Sequence, residues 1–361
     1  MQLPVDVKAV IDEATNIDEA RRTSISVSVY LDDTAPGDVQ AHVRQAFASA
    51  SAHARVSLTY LDGRPFVPYA GDDMAVIVAG LGDQVGVCAQ HVRSVGVPVM
   101  VVTTLPELVS DIARASGFPI PDGDVISPKI VQPKQLPAEG EDPSAAQSLT
   151  EPYALDDARA ASLSERMGGW VIDACNDKRL ACALAFPFVR KPLSMEAVNA
   201  TSLQNAGVGL LVIIPGADMP VMTLNQAKML LMIAAAYGEE LNMERVKELA
   251  ALVGGAFACR AVARQLVAFV PALGWAVKAA IGYTGTQAMG RAAIEYYEGG
   301  PNLGKLTDAV ASARDKVVQA AARRAAQKAQ ATGAKAVEAV RAKAAQAVGG
   351  VRPGGSATKG R

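Results

Sequence analysis

Two short apolar runs, Met74-Ala75-Val76-Ile77-Val78-Ala79 and Val97-Pro98-Val99-Met100-Val101-Val102, constrain this chain more than any other feature. Each is flanked by glycine, is too short for a helix and lacks polar alternation, the pattern of a strand covered on both faces. A helical stretch near 84–94 separates them. Another, 105–116, follows with Leu105, Leu108, Ile112 and Ala115 along one side. Upstream, Ser24-Ile25-Ser26-Val27-Ser28-Val29-Tyr30 alternates polar and apolar residues with a β-branched bias, and so does Arg55-Val56-Ser57-Leu58-Thr59-Tyr60. Between these two runs, Pro36 opens a stretch with Val39, Val43, Phe47 and Ala50 at helical spacing. Repeated strand–helix–strand units predict a small α/β domain over 23–127, its parallel sheet joined by right-handed crossovers.

A chain of 361 residues has room for a second domain at roughly 150 residues each. Residues 1–22 suit a short acidic surface helix and lack the charged start and apolar run of a signal peptide. Residues 128–152, with Pro128, Pro133, Pro137, Pro143 and Pro152, have the composition of a linker. Residues 153–300 are helical and apolar. There, Thr223-Leu224-Asn225-Gln226 matches a capping box that opens a helix running to Gly238. Further helices are expected at 242–253, from 256 to Pro271, and at 272–298. Residues 301–361 form an Ala/Lys/Arg-rich tail of net charge +9, against −10 for the preceding 300 residues. With few large apolar side chains, the tail predicts a solvated helix or partly disordered arm. Its charge suits anionic lipid, and its lack of aromatics leaves no platform for reading nucleic-acid bases.

No catalytic motif is present, and no enzyme activity, cofactor or metal is expected. Gly80-Leu81-Gly82-Asp83-Gln84-Val85-Gly86 follows a strand and opens a helix, so Gly80, Gly82 and Gly86 are the candidates for admitting a phosphate. The spacing is GxGxxxG rather than GxGxxG, and the next strand ends in Val102-Thr103-Thr104 without a ribose-binding acid. Gly299–Lys305 nearly spells a P-loop but follows a helix, with Leu306 where a hydroxyl is needed. His42, His53 and His91 lack ligand spacing. Cys88, Cys175, Cys182 and Cys259 suit reduced, buried thiols. Cys175 and Cys182, seven apart, would share one helical face two turns apart, too far for joint ligation without another partner, so packing is expected.

The uncharged stretch from Ala197 to Ala217 has the length of a membrane span but is interrupted by Asn199, Gln204, Asn205 and Pro215. A soluble bundle core and a membrane-inserted or membrane-docked hairpin both fit. Farther on, Gly274, Lys278, Gly282, Thr286 and Gly290 recur every four residues. This stripe opens a groove for another helix, whether in ordinary tight packing or at a membrane face.

The segments Ala217-Asp218-Met219-Pro220 through Tyr237-Gly238, Phe269-Val270-Pro271-Ala272-Leu273-Gly274, Tyr283-Thr284-Gly285-Thr286-Gln287-Ala288-Met289-Gly290 and Tyr296-Tyr297 resemble the YcjF-like family of unknown function over about 200–298. That resemblance implies a helical domain of the kind often associated with Era-like GTPases and considered membrane-associated. It also makes the first domain similar to a degenerate GTPase-like or Rossmann-like sheet. Thr104-Leu105-Pro106-Glu107 stands where a base-reading motif would lie, and no P-loop precedes it. The expectation is a non-enzymatic cytoplasmic protein at the inner membrane. Its expected partners are anionic lipid, a second copy of itself or a GTPase, and not nucleic acid. The alternative is a soluble nucleotide- or dinucleotide-binding protein using the Gly80–Gly86 turn.

Overall fold

The computed structural model describes residues 18–63, 66–129, 154–211, 218–239 and 274–299. Five parallel strands, β1 (Ile25–Asp32), β2 (Ala54–Leu61), β3 (Met74–Val78), β4 (Val99–Val102) and β5 (Val125–Ile126), form one sheet in the order β2-β1-β3-β4-β5. Helix α1 (Gly37–Ala46) connects β1 to β2. Helices α2 (Gln84–Ser94) and α3 (Pro106–Ala115) connect β3 to β4 and β4 to β5. The register aligns Val29 with Leu58 and Val76, and Val78 with Val102. This is a doubly wound arrangement. Its order differs from the 3-2-1-4-5-6 of dinucleotide-binding sheets, and its direction switches between β1 and β3.

Side-chain alternation explains why the central strands are apolar throughout. Val27, Val29, Leu31, Val76, Val78 and Val102 enter one core with Val39, Val43 and Phe47 around α1. Tyr30, Ala75, Ile77, Val99 and Val101 enter a second with Val85, Cys88 and Val92 of α2 and Val109 and Ala113 of α3. Both faces are therefore covered, as an all-parallel sheet requires.

Beyond the proline-rich stretch come α4 (Asp157–Ala174), a 3-10 turn (Asn176–Lys178), α5 (Arg179–Ala185), a second 3-10 turn (Pro187–Val189) and α6 (Arg190–Leu211). Leu163, Met167 and Val171 of α4, Cys182 of α5 and Phe186 join the first of those cores. Phe47 meets Phe186 and Phe188 edge-on, with centroids 5.1 Å apart in both pairs. The chain divides into two compact units, one of residues 14–194 with 235–239, the other of 195–234 with 1–13 and 240–361. Helices beyond the proline-rich stretch supply a layer of the sheet unit, with the apolar face of α4 packed in the same core as the sheet face.

The second unit contains the rest of α6, most of α7 (Asp218–Ala236) and α8 (Gly274–Glu298). Here one expectation is corrected. Helix α7 begins at Asp218, so Thr223 and Gln226 lie within it rather than capping it. Both are buried, at 1% exposure each, and Gln226 reaches Thr286 of α8. Gly238 does end the segment, at φ +79° with its N–H bonded to the Ala235 carbonyl, a backbone state suited to glycine. Among the described residues, no helix is long and apolar enough to cross a membrane. The expected helices at 242–253 and 256–271, the tail, most of the N-terminal helix and Gly299–Lys305 lie outside the described residues wholly or in part.

Candidate functional site

Ligands of doubly wound sheets sit beyond the carboxyl ends of the strands at the switch point, here between β1 and β3. The Gly80–Gly86 turn lies at this place, directly after β3. The strand opposite it ends in Asp32, which is fully buried. Its Oδ2 accepts from the backbone N–H of Gly80 at 2.9 Å, from Gly82 N–H at 3.1 Å and from the Thr34 hydroxyl at 2.9 Å. Its Oδ1 accepts from Thr34 N–H at 3.1 Å, closing an Asx turn. The Thr34 hydroxyl in turn accepts from Leu81 N–H at 2.8 Å.

The glycines are required by this closure. A Cβ at Gly80 would stand 2.3 Å from the Thr34 backbone, and one at Gly82 would stand 2.7 Å from Asp32 Oδ2. Successive N–H groups in such a turn make an anion-binding concavity, and in this chain the anion is the protein's own carboxylate. Gly86 serves a different purpose. It lies inside α2, where a Cβ would come within 2.6 Å of the Phe118 carbonyl, so it permits close packing rather than ligand approach.

Just after the neighbouring strand β4, Thr103 and Thr104 are fully buried. The Thr103 hydroxyl accepts from Leu105 N–H at 3.0 Å and steadies the entry to α3. Cys88 of α2 is pushed up to about 11 by burial and, secondarily, by the negative charge of Asp32, which makes it a poor nucleophile. Asp32 was not among the residues singled out from sequence. The signal available was Asp32-Asp33-Thr34 placed at a strand end, an Asx-turn pattern facing a glycine turn across the sheet.

Within the helical unit, Gly282, Thr286 and Gly290 of the period-four stripe meet α6 and α7. A Cβ at Gly282 would lie 2.8 Å from the Asn205 carbonyl oxygen, and one at Gly290 would lie 2.2 Å from Val198 Cγ2. Thr286 between them is fully buried. Its hydroxyl donates to the Gly282 carbonyl at 2.7 Å and accepts from Asn205 Nδ2 and Gln226 Nε2, both at 2.9 Å. Asn225 Nδ2 adds a bond to Asn205 Oδ1 at 3.0 Å. The groove is thus occupied by helices of the same unit and stitched by an uncharged polar network. Gly274 and Lys278 fall on α8, and the surroundings of their side chains lie outside the described residues.

The histidines are not gathered. His42 Nε2 lies 2.9 Å from the Ser164 hydroxyl, and His91 stacks on Phe66 at 6.4 Å. Among the described residues, no three His, Cys, Asp or Glu side chains are grouped to hold a metal. No protein-family model, curated protein or solved structure matches this chain.

Proposed function

We propose that this chain is a non-enzymatic, membrane-proximal binding protein. In this reading the sheet unit is a degenerate GTPase-like or Rossmann-like module that works without nucleotide. The helical unit docks on a membrane, assembles with a second copy or engages a GTPase, and the basic tail holds anionic lipid. The observation that carries it is the Asp32 carboxylate seated on the N–H groups of Gly80 and Gly82. A diphosphate entering there would have to displace a buried carboxylate that satisfies those donors. It would also meet negative charge at the position where a phosphate-binding loop offers none. The same observation weighs against the soluble nucleotide-binding alternative. The charge asymmetry of the chain supports the membrane half of the reading, since basic residues near an anionic surface contribute about 1 kcal/mol each.

Two measurements on the full chain test it. Thermal melts with millimolar NAD, NADP or GTP are expected to show no stabilisation, and a rise with any of them would favour the alternative. Sedimentation with phosphatidylserine vesicles is expected to carry the protein down at low salt. Protein left wholly in the supernatant there would remove the membrane reading.

A further inference from the structure

We propose that the outer edge of β2 is a self-association surface, which takes the β2 edge of a second copy of this chain in antiparallel pairing about a two-fold axis at Leu58. The two margins of the sheet are unlike. At one, β5 has only two residues, Val125–Ile126, too short to template another strand. At the other, β2 runs for eight residues, Ala54–Leu61, with no proline and with Arg55 as its one charged residue. Charge, proline and short length are the usual means of keeping an edge from pairing. Arg55 does not guard this one, because its Nη1 turns inward to Ser26 Oγ of β1 and to Asp72 Oδ1, each at 3.1 Å.

The backbone register fixes which groups the margin offers. Ile25 N–H donates to the His53 carbonyl at 2.8 Å, and Ile25 stands against Ala54. Successive residues of a strand direct their backbone groups to opposite sides. Arg55, Ser57 and Thr59 therefore bond β1, while Val56, Leu58 and Tyr60 direct N–H and C=O outward, where the sheet has no further strand among the described residues. The side chains of Leu58 and Tyr60 on this row are 51% and 54% exposed.

A second copy is the occupant because the row is complementary to itself. Antiparallel pairing about Leu58 sets Leu58 against the partner's Leu58 and Val56 against the partner's Tyr60, and each is a pair that exchanges both backbone hydrogen bonds. A β-branched residue facing an aromatic one is a favourable cross-strand pair, and so is Ser57 facing the partner's Thr59 on the opposite face. Moving the axis to Ser57 would call on Ala54, whose N–H is already bonded to the Ser51 carbonyl at 3.2 Å. Moving it to Thr59 would set Val56 against the charged Asp62. The antiparallel sense also brings the basic start of one strand, His53 to Arg55, beside Asp62 at the end of the other, whereas parallel pairing would lay like on like. Two five-stranded sheets joined in this way stay within the size of open twisted sheets. One strand edge is smaller than the roughly 800 Å² per partner of a standard interface, so a dimer of micromolar strength is expected. The surface belongs to the sheet unit and does not rest on the membrane reading.

The test is sedimentation velocity of the full-length protein from about 1 to 100 μM, beside Leu58→Lys and Leu58→Glu. The unsubstituted protein is expected to pass from monomer to dimer with concentration. Each variant alone places like charges face to face on the axis and should dimerise roughly ten-fold more weakly or not at all. Mixed together, the two variants should form a heterodimer, a rescue that requires position 58 to face itself. A monomer throughout the range, or a dimer that Leu58→Lys leaves unchanged, would overturn the proposal. If the variants fail to fold, hydrogen–deuterium exchange of the unsubstituted protein decides: amides of the 54–61 peptide should slow as concentration rises, and exchange there that ignores concentration overturns it.

Discussion

Asp32 shows how one side chain can settle the chemistry of a whole sheet edge. Its carboxylate accepts four hydrogen bonds within the turns after β1 and β3. Asp32→Asn keeps the shape but turns an N–H donor toward donors, so a loss of about 1–3 kcal/mol is expected in urea denaturation. Gly80→Ala should cost more than Gly82→Ala. Its added methyl meets Thr34 backbone at 2.3 Å, whereas at Gly82 it meets a carboxylate side chain at 2.7 Å. His42 provides a pH signature. Burial lowers its pKa from 6.5, so the folded chain binds fewer protons there than the unfolded chain. Stability from this group is complete above 6.5 and is lost as pH falls toward the depressed folded value. His42→Gln should flatten the stability–pH curve in that window. The glycine turn was legible in the sequence, but its occupant was not, because Asp32 and Gly80 are brought together by strand pairing 48 residues apart.

At the scale of elements, α8 separates two kinds of glycine. Gly285 has no atom within 4 Å of an added Cβ, whereas Gly290 would drive one into Val198. Gly285→Ala should stabilise by up to about 1 kcal/mol through helix propensity. Gly290→Ala should destabilise by about 1–3 kcal/mol through overpacking, and paired chemical denaturation curves would show the opposite signs. Thr286→Val should cost about 2–4 kcal/mol, because the Asn205 and Gln226 amides each lose a buried acceptor. The stripe itself was visible as a period of four. The polar pair Thr223 and Gln226 was visible too but carried the wrong meaning. A three-residue spacing puts both side chains on one face at a helix start or in its interior, and only the presence of a neighbouring helix distinguishes the two. Cys175 and Cys182, expected to pack in the interior, both lie in the buried core.

Across the whole molecule, charge is segregated along the chain rather than balanced locally, with +9 in residues 301–361 and −10 in the rest. If that tail holds anionic headgroups, vesicle binding should fall steeply as salt is raised from 0.05 to 0.5 M, roughly, because the Debye length shortens several-fold. Deleting residues 301–361 should abolish the salt-dependent part of binding, read by co-sedimentation of the two proteins side by side. Binding that is unchanged by the deletion would move the lipid contact to the helical unit.

Hydrophobic period and charge are local properties, so the amino-acid order by itself determined four of the five strands of the parallel sheet, the helices between those four, the glycine stop at 238 and the basic tail. Partnership is not local. The tertiary structure alone decided that α4 completes the layer over the sheet and that Asp32 fills the glycine turn. It also decided that Thr286 bonds Asn205 and Gln226. Each of those outcomes depends on distances through space between segments whose spacing along the chain carries no record of them.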